Sequence, residues 1–363
     1  MAKRVGVDKW IYCVTLVLVV VGLLMVFSAS AVMARERYGS SYNFVSRQAL
    51  WAFAGLAAMT LLMRVDYRKY NRPTVVYPAI GTTIVLLLAA FAMHDSHGAH
   101  RWIKLGPMSL QPSELAKPTL VLFLAWWLQN RMHSIDDLRQ TILPAAVPSL
   151  LFIALIVKEP DLGTALVCAA VTALLLYLAG MNFKYLGYAA LAAAPVLYVL
   201  LFRVKFRRER MLAFIDPESD PLGKGFHIIQ SLIAVGTGGV RGLGYMEGRQ
   251  KLFYLPESHT DYIFANISEE VGLIGSLCVV ALFAIFGYRG FRAAILSIDP
   301  FARLLAFGVT STILIQAFFN ISVVLALVPT KGITLPFVSY GGTSLFITLA
   351  SVGVLLNITR EIE

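Results

Sequence analysis

The stretch LPESHTDYIFA, Leu255 to Ala265, sets Glu257, His259 and Asp261 on alternate positions just before an apolar run. A carboxylate held at such a boundary can take the proton of an attacking hydroxyl, and partial burial lifts its pKa toward the range where a general base works. Asp261 stands nearest the apolar run, with Glu257 and His259 before it. The plain alternative is that all three cap and solvate the end of a helix.

A second set of groups precedes it. Arg203, Lys205, Arg207, Arg208, Arg210, Lys224, Arg241, Arg249 and Lys251 crowd the segment before Asp261 and hold most of the formal net charge of +10. Basic side chains beside a membrane attract anionic head groups or pyrophosphates, and no nucleic-acid reading is needed. Spacing alone does not say which of them converge.

Ionisable groups also sit inside apolar runs, where they are costly and face a partner or a water-filled cavity. QPSELAKP places Glu114 and Lys117 three apart on one helical face, which suits an internal salt bridge. Lys117 is also the expected mate of Glu269 or Glu270, tying the fourth apolar run to the eighth. KEPDLGTA forms a tight outer turn that presents Glu159 and Asp161, with Asp161 placed to cap the following helix. Gln316 and Asn320, four apart, read as a bridge between helices. LVPTKGITLPFVSYGGTSL is too rich in Pro and Gly for a plain helix and reads as a re-entrant segment.

Weaker signals are few. HDSHGAH offers His94, Asp95, His97 and His100, which suit a polar loop better than a metal site without a second ligand cluster. Cys13, Cys168 and Cys278 lie in apolar runs and behave as small hydrophobes. FHIIQSLIAV is too short to span and reads as an interfacial segment with Gln230 and Ser231 toward water, while the glycines of GTGGVRGLGYMEG make a flexible turn with no phosphate-loop match.

The elements that must position these groups are membrane helices. The 363-residue chain is 58% hydrophobic and 14% charged, with mean hydropathy +0.72, which excludes an ordinary soluble domain. Ten spans fit, at roughly 10–34, 46–64, 73–93, 113–129, 143–158, 162–181, 187–202, 263–287, 303–326 and 343–358, each long enough to cross a hydrocarbon core of about 30 Å. The first is too long for a signal peptide and reads as a retained helix. Lys3, Arg4 and Lys9, then Arg64, Arg68, Lys69 and Arg72, then Arg289, Arg292 and Arg303 mark cytoplasmic loops, so both termini fall inside. The expected fold is an all-α integral membrane protein of about ten helices in one domain, 1–363. Parity puts a large loop, about 203–262, outside between spans seven and eight.

Five ordered blocks, QPSELAKP, EPDLGTA, FIDPESDPLGKGFHIIQSLIA, LPESHTDYIFANISEEVGLIG and PTKGITLPFVSYGGTSL, resemble the SEDS proteins (shape, elongation, division and sporulation), ten-span polymerases of bacterial peptidoglycan. The resemblance covers nearly the whole chain, with small departures at Tyr262 and Thr343 that touch no ionisable group. PTKGITLPF and FYLPESHTDYIFA lean toward the cell-division members over the elongation members.

The resemblance implies an inverting transfer in the bacterial inner membrane. Lipid II, the undecaprenyl-pyrophosphate-linked disaccharide pentapeptide, is joined into glycan strands with release of undecaprenyl pyrophosphate at the extracytoplasmic face. It implies that Asp261 is the essential aspartate and the base, with Glu257 a polar contact beside it and His259 a structural residue. By the same resemblance Arg101 and Trp102 line the cavity, and Arg207, Arg210, Lys224, Arg241 and Lys251 are the candidate pyrophosphate ligands. It also implies a class B penicillin-binding transpeptidase as partner, alongside other division or elongation membrane proteins and membrane lipid. No cofactor is evident, and a divalent cation stays open. Two other classes compete: a lipid II flippase, with Glu114, Lys117 and Glu270 lining a path, and a scaffold that recruits another wall protein. The densest ionisable cluster lies on one face and not at the midplane where transporter sites gather, which favours the enzyme.

Overall fold

The computed structural model describes residues 6–92, 101–105, 108–252 and 254–361. His94, Asp95, His97 and His100 lie outside the described residues. Ten helices occupy the expected spans: α1 (Lys9–Tyr38), α2 (Asn43–Leu62), α3 (Pro73–Ala92), α4 (Pro112–Leu128), α5 (Leu143–Lys158), α6 (Leu162–Leu178), α7 (Phe183–Phe202), α10 (Ile263–Leu296), α11 (Pro300–Val324) and α12 (Gly342–Thr359). Eight of the apolar segments are long enough by themselves to cross a membrane, while α4 and α6, 17 residues each, are slightly shorter. The chain is a multi-pass membrane protein.

Local chemistry sets the ends. Asp8 accepts from the Trp10 and Ile11 amides to start α1, and Gly39, at φ 72°, closes it in the left-handed conformation that glycine adopts without strain. Asp161 caps α6, Asn182 caps α7, and Asp299 with Pro300 opens α11. The core is formed where α12 lies on α2, α10 on α1 and α11, and α4 on α3, α6 and α11. By contrast α7 buries no side chain, as expected of a helix with lipid around most of it.

Two shorter helices, α8 (Lys205–Ile215) and α9 (Phe226–Gly238), shape the large loop. A small hairpin, β1 (Ile103–Leu105) with β2 (Met108–Leu110), pairs Ile103 with Leu110 ahead of α4. In α9 the expected water-facing Ser231 is instead buried and donates to the Val324 carbonyl at 2.7 Å, which docks the segment on the end of α11.

The glycine-rich stretch after α9 has a job other than flexibility. Helix α10 is broken at Gly272 (φ 69°, ψ −166°), and the freed amides of Leu273 and Ile274 donate to the carbonyls of Gly239 and Val240. In return Leu243 and Gly244 donate to the carbonyls of Glu269 and Glu270, both at 3.0 Å. Backbone groups in hydrocarbon must be satisfied within the protein, and this exchange satisfies them at the break. A Cβ at Gly238 would lie 1.8 Å from the Ser268 carbonyl oxygen, so only glycine allows the approach.

Candidate functional site

Asp261 is positioned by the segment between α11 and α12. Asn320 on α11 donates from one amide nitrogen to the carbonyls of Asp261 and Ile333, at 2.7 Å each. The Ser339 hydroxyl donates to the Thr260 carbonyl at 2.6 Å, and the Tyr340 amide donates to the His259 carbonyl at 2.9 Å. A Cβ at Gly332 would stand 2.9 Å from Asp261 Oδ2, so the missing side chain lets the carboxylate lie against the segment.

Two adjoining cavities, of about 200 and 350 Å³, share a wall of Phe206, Arg210, Asp261, Thr330, Lys331 and Gly332. Lys224, His227 and Glu257 border the smaller, and Arg101, Asp161 and Arg207 the larger. Protein crowds Asp261 and pushes its pKa up to about 7; nearby Glu257 adds to the rise and Arg210 opposes it. Lys331 is brought down to about 8, chiefly by burial and then by the Arg207 charge.

Four of the cations around this space, Arg101, Arg207, Arg210 and Lys331, are not spent on carboxylates. Arg101 donates to the carbonyls of Glu159 (2.9 Å) and Pro160 (2.5 Å), and Arg207 to those of Val157 and Leu200. The Arg210 guanidinium lies 4.2 Å from the centre of the Phe206 ring. Among the described residues, none of these three, nor Lys331, is in a salt bridge. Lys224, at the rim, pairs with Glu209.

Several expected residues lie elsewhere. Lys251, a candidate pyrophosphate ligand, is buried and salt-bridged to Glu270 at 2.6 Å, with Ser28 donating to the same carboxylate. The charge that counted toward a basic loop is thus enclosed between α1 and α10, away from the cavities. Arg241 is exposed and borders neither cavity. Lys117 does pair with Glu114, at 2.9 Å, but its second partner is Gln316 on α11 at 2.5 Å, and Glu269 and Glu270 are not among its mates. Glu269 instead accepts from the Arg249 and Gln250 amides, because the docked loop brings those donors within reach.

Gln316 also donates to the Thr334 carbonyl, so both expected amides join α11 to the re-entrant segment. Asp161 caps α6 as its spacing suggests, accepting from the Thr164 amide at 3.1 Å. Glu159 and Asp161 are buried and not presented to the outside. Both Glu159 carboxyl oxygens lack a hydrogen-bond partner, and burial raises its pKa to about 8. Trp102 parts from Arg101 and faces a third cavity.

Lys331 is the residue missed in the sequence. Its signal was present: a lone cation between two prolines in an otherwise apolar segment, which is costly unless it faces a cavity. Among the described residues no three His, Cys, Asp or Glu side chains converge as metal ligands; the carboxylates that border the two cavities are Asp161, Glu257 and Asp261.

A helical membrane bundle with a cation-lined cleft around a carboxylate of raised pKa defines a membrane-embedded protein with one concentrated basic site. The family profile described as "Cell cycle protein", the FtsW, RodA and SpoVE group, matches residues 9–363, and the chain belongs to that family. It is 41% identical over 359 residues to the probable peptidoglycan glycosyltransferase FtsW of Geobacter metallireducens, covering 98% of this chain and 95% of that one. It is 39% identical over 361 residues to stage V sporulation protein E of Bacillus subtilis, covering 99% and 98%.

Two solved structures share the fold. One, described under "Structural coordination of polymerization and crosslinking by a peptidoglycan synthase complex", has a TM-score of 0.81 at 28% identity over 98% of both chains. The rod shape determining protein RodA of Thermus thermophilus has a TM-score of 0.72 at 26% identity, over 99% of this chain and 98% of that one.

Proposed function

We propose that this protein is a peptidoglycan glycosyltransferase that polymerises lipid II in cell division. The observation that carries the reading is the convergence of Arg101, Arg207, Arg210 and Lys331 on the cleft of Asp261 with no salt bridge to any of them. Cations left open around a base are suited to an anionic leaving group.

In the reaction, the 4-hydroxyl oxygen of one lipid-linked sugar attacks the anomeric carbon of another. Asp261 takes the hydroxyl proton as the new C–O bond forms, and the bond to the pyrophosphate breaks on the opposite face, inverting α to β. The four cations hold the pyrophosphate as its negative charge grows, which is where electrostatic stabilisation lowers the barrier. Lys224 and Glu257 meet substrate at the rim. Asn320 acts through the backbone of Asp261, and Glu114, Lys117, Gln316 and Glu270 hold helices together.

The site faces the extracytoplasmic side and both termini face the cytoplasm, an orientation supported by the Lys and Arg of the short loops. A cross-linking transpeptidase is the partner, by likeness to the synthase complex. The flippase reading is met by assaying the purified protein in detergent, where no bilayer has two sides. Supplied with lipid II, it should form glycan chains. No chains with a transpeptidase present, alongside lipid II movement in liposomes, would overturn the proposal.

A further inference from the structure

A third cavity, of about 290 Å³, lies on the other side of the wall that carries Asp261. The two spaces share their dividing wall through pairs of adjacent residues: Thr260 lines the third cavity while Asp261 lines the first two, and Trp102 lines the third while Arg101 lines the second. The two residues that lead into β1 thus serve both spaces, as do the two turn residues ahead of α10.

Their chemistry differs. The Asp261 cleft gathers four cations with no salt bridge, whereas the third cavity is walled by Trp51, Trp102 and Tyr340 with Arg47 as its one cation among the described residues. Aromatic faces carry partial negative charge and attract the polarised C–H face of a pyranose, and a guanidinium donates to hydroxyls and carbonyls. Three rings and one cation fit an uncharged sugar far better than a pyrophosphate.

The cavity is also built in advance. A Cβ at Gly342 would fall 2.2 Å from the Trp51 indole, so that glycine is the seat of the ring, and Phe346 meets Trp51 edge-on at 6.1 Å. Tyr340 is backed by Phe44 at 5.2 Å and by buried His259 at 5.6 Å. Thr343 donates to the Ser109 carbonyl at 2.6 Å and ties the hairpin to the start of α12. Rings at a membrane surface often sit in an aromatic belt facing lipid. These instead enclose a concave space near the lower end of the roughly 300–1,000 Å³ typical of small-molecule sites.

We propose that the cavity of Trp51, Trp102, Tyr340 and Arg47 is a second saccharide subsite, which holds a sugar of the glycan strand next to the one reacting at Asp261. The assignment rests on the transferase reading. Asp261 does not line this cavity, so the subsite grips a neighbouring sugar and keeps the strand bound between additions.

Binding and polymerisation are tested separately with the full chain in detergent. Chitotriose, a saccharide with no pyrophosphate, peptide or lipid, should shield tryptophan fluorescence from acrylamide in the wild type and in Asp261→Asn. Trp102→Ala should weaken that shielding about tenfold, the loss of roughly one stacking contact, and Trp102→Phe should restore most of it. With lipid II, Trp102→Ala and the surface variant Arg47→Gln should yield shorter strands than the wild type, again with rescue by Trp102→Phe. No shielding by chitotriose in the wild type, or shielding and strand length unchanged in Trp102→Ala, overturns the subsite. So does loss of transpeptidase co-purification in place of either effect, which would make the cavity a protein contact. A wild type that shields with chitotriose yet makes no strands even with the transpeptidase present refutes the transferase reading and leaves sugar binding established.

Discussion

Charges in this protein fall into two kinds of place. Between the helices they are closed: Lys117 with Glu114 and Gln316, Lys251 with Glu270 and Ser28, Arg289 with Asp8 at 2.5 Å. Around Asp261 they are open: Arg101 and Arg207 rest on backbone carbonyls, Arg210 on a ring, and Lys331 on no carboxylate. A buried ion with its partner in place holds elements together, and removing one member strands the other. A cation kept near a cavity without a carboxylate partner costs stability, and under the proposed function it is the group that meets the leaving pyrophosphate. Net charge and loop density do not separate the two; only the partner does.

The closed kind should break first and as structure. Lys251→Met leaves Glu270 without its counter-ion, which typically costs about 3–5 kcal/mol. Thermal melting and membrane yield should therefore fall sharply, and Lys117→Met should follow the same pattern. A Lys251 variant with wild-type melting and no activity would move that residue into the site and erase the distinction.

The open kind should fail as chemistry. Arg210→Ala with Lys331→Met should lower turnover about a hundredfold, the scale of losing a donor to developing charge, with melting unchanged or raised. A fall in melting that accounts for the lost turnover would place these cations with the structural ones.

Acidity sharpens the same contrast. With Asp261 as the proposed base, needed deprotonated, the rate should climb through about pH 7; with Lys331 as a proposed cation for the leaving group, needed protonated, it should fall through about pH 8. The wild-type profile is then a narrow bell, and Lys331→Met should lose the alkaline limb at a lower maximum. An unchanged alkaline limb in that variant would assign it to another group.

The smallest effect belongs to Glu159, whose buried carboxyl has no hydrogen-bond partner among the described residues and a pKa of about 8, hence mostly neutral at pH 7. Glu159→Gln keeps its shape and should leave turnover and melting within about twofold and a few degrees, as for changes that disturb no charge or packing. A large loss would show that its charge is used.

How much of this was legible beforehand depended on how far apart the interacting residues lie. The ten spans follow from runs of apolar residues, and Asp161, Glu114 and Lys117 from partners three positions away. Lys251 was misplaced because its partner is 19 residues on and is reached only through the glycine-docked break at Gly272. Lys331 was overlooked because its segment has no periodicity from which a facing direction can be read. The division of labour between Arg101 and Trp102 needed the hairpin, whose local pattern is too short to announce itself.

The most direct measurement is the rate of glycan formation from lipid II by Asp261→Asn beside the wild type, in detergent, with melting recorded for both. The amide keeps the shape of the side chain and the Asn320 bond to its backbone carbonyl, and removes only the basicity. If Asp261 is the base, the variant melts at or above the wild-type temperature and loses about 10²–10⁴-fold in rate. A variant that folds equally well and keeps more than about a tenth of the rate contradicts that role, since a missing general base costs at least about a hundredfold.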